Sequence, residues 1–174
     1  LHGLPDDFAL LLEDVPDEPD DEQAGKDLPA EVMRQLCQHL PLLDELAVRE
    51  VRVAVELIMD TGRRPDEICH LDLDCLERDG DGKPVLVYDN HKAYRHRRRV
   101  PIPEATAALI VEQQRRVRDR FPEVSQGPVK LLPSPIANPS GRKPISHSTV
   151  SERHRRWVTV LPPLAANRPP SLVL

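Results

Sequence analysis

A chain of 174 residues is long enough for one domain with a core and too short for two large ones. Hydrophobic residues make up 39% and charged residues 30%, a globular balance, but aromatics are only 3%, so the core must rest on Leu, Val, Ile and Ala, which favours helices. The formal net charge of −5, taken alone, argues against a nucleic-acid binder. The absence of any apolar run near ~18 residues argues against a membrane span.

The net charge conceals a separation along the chain. Nine acidic residues lie between Asp6 and Glu22 with no Lys or Arg among them, whereas Lys92 to Arg99 holds five basic residues and no acid. Local sign, not net charge, decides phosphate binding. Residues 1–26 open with an apolar patch, Phe8 to Leu12, and then become acidic and proline-broken, the composition of a linker or flexible arm. One role for such an arm is to shield the basic stretch when its partner is absent.

Leu28 to Leu40 carries helix marks: Asp27 as N-cap, Pro29 in the first turn, and Val32, Leu36, Cys37 and Leu40 at helical spacing, with Pro41 as the stop. A second helix is predicted from about Leu46 to Asp60. Ala47, Val51, Ala54, Val55 and Ile58 form its apolar face, and Arg49, Arg52, Glu56 and Asp60 its polar one. Thr61-Gly62 closes it, since glycine takes the left-handed conformation of a helix stop. Pro65 disfavours helical geometry at Arg64 and suits the first position of a new helix, so Arg64 is expected at a sharp helix-to-helix corner. Asp66 and Glu67 fall in that helix's first turn, where the dipole favours carboxylates, and Ile68 and Leu71 pack it down.

Leu76 to Arg78, Pro84 to Tyr88 and His96 to Ile102 read as three strands of an antiparallel sheet, with turns at Asp79 to Gly82 and at Asn90 to Tyr94. Lys92 lies at the second turn. Pro103-Glu104 opens a helix to about Phe121, with Ile110, Val117 and Phe121 inward and Arg115, Arg116, Arg118 and Arg120 mostly outward. Ser125 to Ser146 is a proline-marked loop with one short strand at Val129 to Leu132. Thr149 and Glu152 suggest a capping box for a last helix carrying Val150, His154, Trp157 and Leu161, with Trp157 as a core anchor. Residues 162–174 have four prolines and no periodicity. The fold class is therefore α+β, mainly helical with a small three-stranded antiparallel sheet, in three parts: 1–26, 27–161 and 162–174.

Cys37, Cys69 and Cys75 are too few and too irregular for a disulfide framework and read as core thiols in a reducing, cytoplasmic compartment. Cys69, His70 and Cys75 lack a fourth ligand at a usual spacing, so no metal is expected. Arg64, Glu67 and Lys92, by contrast, join a guanidinium at a helix start, a carboxylate one turn on and an ammonium near a hairpin tip. An arginine fork can bond two phosphate oxygens at once and offset charge growing on phosphorus, and an ammonium on a mobile tip can act as a general acid. Arg63 is read as serving the backbone or solvent.

Two segments resemble the tyrosine recombinases, or phage-type integrases. The first is Thr61-Gly62-Arg63-Arg64-Pro65-Asp66-Glu67 with Leu71, like the family's T-G-x-R-x-x-E signature at a helix end. The second is Lys92 followed by Arg97-Arg98-Arg99-Val100-Pro101-Ile102-Pro103, like its hairpin lysine and basic strand. Their order and separation also agree, and the similarity spans roughly Leu28 to Leu161. The resemblance implies part of that family's catalytic domain, with double-stranded DNA as partner, no membrane, and no metal or other cofactor. It implies Arg64 as the phosphate-clamping arginine, Lys92 as the acid for the leaving 5′ oxygen and Glu67 as the residue orienting Arg64. Arg95, Arg97, Arg98 and Arg99 would then contact DNA backbone.

The family's later H-x-x-R box and attacking tyrosine have no counterpart here. His96 to Arg99 matches H-x-x-R only as text, inside the basic strand. A truncated, inactive, monomeric fragment of a mobile-element integrase is therefore expected, with self-assembly on DNA belonging to the complete protein. A non-catalytic DNA-binding module and an acidic-arm interaction protein are the alternative classes.

Overall fold

The computed structural model describes residues 29–90, 95–122 and 128–161. The acidic arm 1–26, the Asp27 cap, the second hairpin turn with Lys92 and Tyr94, and the tail 162–174 lie outside the described residues.

Four helices come first: α1 (Ala30–His39), α2 (Leu42–Leu46), α3 (Arg49–Thr61) and α4 (Pro65–Cys69). Pro29 occupies the N-cap position of α1 rather than its first turn, and no side chain caps that end. Helix α1 buries Val32 and Leu36, an i,i+4 stripe, while Cys37 is exposed. The expectation of three core thiols is thus corrected: Cys37 lies more than a quarter of a turn round the helix from Leu36, since each residue turns about 100°. Pro41 does not simply end the chain's helical path but caps α2, a turn that sequence periodicity is too short to reveal.

Helix α3 buries Val51, Val53, Ala54, Val55 and Leu57, a wider stripe than predicted, because α2, α5 and α6 all pack on it. Gly62 closes α3 at φ 62°, with its N–H donating to Ile58 O, as its lack of a Cβ predicts.

Strands β1 (Leu76–Arg78), β2 (Pro84–Asn90) and β3 (Arg95–Pro101) form one antiparallel sheet in the order β1-β2-β3. Leu76 lies opposite Leu86, Leu86 opposite Val100, and Tyr88 opposite Arg98. Directly paired residues share a face; Leu86 and Tyr88 are buried on this one, and Val85 is buried on the other. Beyond Tyr88 the register slips: Asn90 pairs with Arg95, leaving one extra residue on β3. Arg97 has φ 49°, and its N–H donates to the Asp89 carboxylate at 2.7 Å, which marks a bulge in the strand.

Helices α5 (Glu104–Arg120) and α6 (His147–Val160) complete the described chain. Helix α5 buries two amides as well as Ala107, Ile110 and Val117. Gln113 donates to Leu131 O and Gln114 to Leu73 O, fixing two loops to one helix. The strand predicted at Val129 to Leu132 is instead a single bridge, Asp72 to Lys130, supported by Leu73 N–H to Val129 O and Leu131 N–H to Leu71 O. Its partner segment is only the short link after α4, and Pro128 and Pro133 bound it. Helix α6 is capped by Ser146, whose hydroxyl accepts from Thr149 N–H at 3.1 Å, so the Thr149/Glu152 box is displaced by three residues. Trp157 is fully buried, and its Nε1–H donates to His39 O at 3.1 Å. No described helix is long and apolar enough to cross a membrane.

Candidate nucleic-acid interface

Two adjacent arginines leave the end of α3 with different surroundings. Arg63 is half-buried: its Nη1–H donates to Tyr88 Oη at 2.7 Å, its Nε–H donates to Thr61 O at 3.3 Å, and its guanidinium carbon lies 5.4 Å from the Tyr88 ring centre. It therefore joins the helical corner to the middle strand through a hydrogen bond and a cation–π contact. The expected backbone role is present, and the tyrosine link adds to it.

Arg64 is exposed, and its guanidinium has no hydrogen-bond or ion-pair partner among the described residues. Its backbone, by contrast, is fixed. It is the N-cap of α4 in extended conformation (φ −66°, ψ 145°), its N–H donates to Glu67 Oε2 at 3.2 Å, and its C=O accepts from Ile68 N–H. An arginine side chain has no acceptor, so only the Glu67 half of a capping box operates here. Glu67 is 6% exposed and orients Arg64 through the main chain. Pro65 at the first helical position holds the corner from the other side.

The basic strand is divided between two faces. Arg98 stands opposite Tyr88 and so shares the face that Arg63 reaches; it is exposed, and among the described residues its guanidinium has no partner. Arg97 and Arg99 both pair with Glu77, at 2.7 and 3.0 Å, on the other side of the sheet. Arg95 opens β3 opposite Asn90. The structure thus joins the α3–α4 corner to the sheet face of Arg98 through Arg63 and Tyr88, and sets Arg97 and Arg99 on the opposite face of the sheet.

Several neighbours of the corner carry no sequence signal. Asp66 lies between two imidazoles, with Oδ1 at 3.3 Å from His70 Nδ1 and 3.6 Å from His147 Nδ1. His147 begins α6, far along the chain, so only the fold brings it there. Arg155 and Arg156 on α6 are exposed, and their guanidinium groups have no partners among the described residues. Arg155 borders a cleft of about 270 Å³ between α3, α4 and α6, together with Ile58, Met59, Pro65, Val150 and His154. Burial holds the His154 imidazole below its ordinary value, so it stays neutral more readily than a surface histidine.

The thiols near the corner do not add chemistry. Cys69 and Cys75 are buried, and burial pushes both up to about 12, with Asp66 adding to the rise at Cys69. Tyr88 is 7% exposed, and its hydroxyl oxygen accepts from Arg63. No protein-family model, no curated protein and no solved structure matches the chain.

Proposed function

We propose that this chain binds double-stranded DNA as part of a catalytic domain of the tyrosine-recombinase kind, with Arg64 gripping a backbone phosphate. The carrying observation is the contrast at the corner. Arg63 is bound into the structure, whereas Arg64 has an immobilised backbone and an unengaged guanidinium. A planar fork on a rigid base suits two phosphate oxygens and loses little order on binding. Arg98, exposed opposite Tyr88, and Arg155, which borders the cleft that Pro65 lines, are further exposed cations in this reading. In this reading a tyrosine of the complete protein attacks phosphorus, Lys92 gives a proton to the 5′ oxygen that leaves, and Arg64 offsets the charge that builds in between, so this chain by itself grips DNA without cutting it.

Arg64→Ala should weaken binding to a duplex by roughly 10-fold or more and lower the slope of log K against log salt by about 1. Arg63→Ala should lower thermal stability and leave the salt slope nearly unchanged. Fluorescence anisotropy across a salt series reads both. Equal affinities for wild type and Arg64→Ala would sink the proposal.

One observation favours a narrower second reading, binding without strand cleavage: the engagement of Tyr88 by Arg63. On that reading the chain shifts a nicked duplex in a gel and leaves no protein–DNA adduct after denaturation even when a C-terminal segment carrying an H-x-x-R box and a tyrosine is restored. A covalent adduct linked through tyrosine would exclude it.

A further inference from the structure

Between the bridge at Pro133 and Pro144 the chain makes a closed loop with an apolar tip. Ile136 is 73% exposed, the highest value among the exposed large hydrophobic side chains described. Single exposed hydrophobics are ordinary on protein surfaces. What sets this one apart is the backbone beneath it.

Asn138, 9% exposed, donates from Nδ2 to Lys143 O at 2.8 Å and to Ser134 O at 3.2 Å, while its Oδ1 accepts from Lys143 N–H at 3.1 Å. Ser134 Oγ accepts from Ile136 N–H at 3.3 Å and donates to Ile136 O at 3.4 Å, so the peptide groups on both sides of Ile136 are held. Ser134 N–H donates to Lys143 O at 2.8 Å, closing the base. Ala137 has φ 47°, a conformation that a residue with a Cβ rarely adopts, and Gly141 has φ 67° and is packed so closely that a Cβ would lie 2.9 Å from Val129. The side chain of Ile136 is thus aimed outward from a shape fixed by its neighbours, with Pro135 and Pro139 exposed beside it.

The charge around the tip is one-sided. No Asp or Glu occurs from Pro128 to Ser151, and Arg142 and Lys143 are exposed, with no side-chain partner among the described residues. An isoleucine between exposed prolines, with unpaired cations on the returning arm of the loop, suits a ligand that offers anions beside a stack of flat apolar surfaces. The returning arm of the loop leads directly to His147, whose Nδ1 lies 3.6 Å from Asp66 Oδ1, next to Arg64.

Resting on the DNA-binding reading above, we propose that Ile136 is a wedge that enters the minor groove and parts one base step, while Arg142 and Lys143 hold the flanking phosphates. Apolar side chains used in this way unstack and kink the duplex. The loop supplies the preorganisation, because a side chain already held in its working direction loses little freedom on insertion.

The test uses the full 174-residue chain and an alternating A·T duplex of about 30 base pairs with 2-aminopurine in place of several adenines, whose emission rises when stacking is broken. Anisotropy reports binding and 2-aminopurine emission reports unstacking, so the two readings separate. Wild type at saturation should raise emission roughly twofold or more, Ile136→Ala should bind within about tenfold of wild type yet leave emission at the level of free duplex, and Ile136→Leu should restore the rise. The wedge is overturned by equal emission from wild type and Ile136→Ala. It is also overturned by a bound duplex whose emission never rises. Absence of any complex with wild type removes the DNA-binding reading itself and the wedge with it. Since Ile136 is exposed, unchanged circular dichroism is expected for both variants.

Discussion

Arg63 and Arg64 are identical in type and adjacent in sequence, yet one is bonded to Tyr88 and the guanidinium of the other has no partner among the described residues. Nothing local distinguishes them except Pro65, which fixes the backbone of the residue before it. That is why Arg64 was legible as the corner arginine, and why the Tyr88 contact of Arg63, which depends on the sheet packing back, was not. Cysteine shows the same boundary. Cys69 and Cys75 are buried with thiols pushed up to about 12, whereas Cys37 sits outside the Val32–Leu36 stripe of α1. With a thiol-specific disulfide reagent at neutral pH, Cys37 should react promptly in the native protein and Cys69 and Cys75 only on unfolding. Cys37→Ser should then abolish the fast phase; a fast phase that survives places another thiol at the surface.

Among elements, long ones with a clear apolar stripe were readable and short ones were not. Helix α3 and its Gly62 stop follow from periodicity and the left-handed cap, and the three strands from alternation and turns. Helix α2 has five residues, below the length at which periodicity means anything, and the bridge at Lys130 depends on a partner near Asp72 that only folding supplies. The start of α6 offered Ser146, Ser148 and Thr149 as rival caps, and Ser146 prevails by following buried Ile145 in extended conformation. Ser146→Ala should therefore cost about 1 kcal/mol in urea denaturation, while Thr149→Ala, inside the helix, should cost clearly less. Equal costs would place the cap at neither residue alone. The bulge at Arg97 likewise escaped notice, because a run of three arginines gives no hint that its first member changes the pairing count.

At the scale of the whole molecule, a chain with 3% aromatic residues closes its helical layer on one of them. Trp157 is fully buried, makes its indole hydrogen bond to His39 at the end of α1, and lies 5.6 Å between ring centres from His154. Trp157→Ala should cost about 3–5 kcal/mol, and Trp157→Phe less, because the ring volume is largely kept although the His39 carbonyl loses its donor. Thermal unfolding followed by circular dichroism reads the difference, and a Trp157→Ala protein as stable as wild type would show that the layer closes elsewhere. The expectation of a core anchor came from spacing within α6, whereas the identity of the helices it joins did not. The Arg63–Tyr88 contact acts at this same scale. Because the tyrosine belongs to the central strand and the arginine to the elbow between two helices, the hairpin and the elbow are hinged to a common strut. Moving one away from the other breaks that hydrogen bond and that ring contact together.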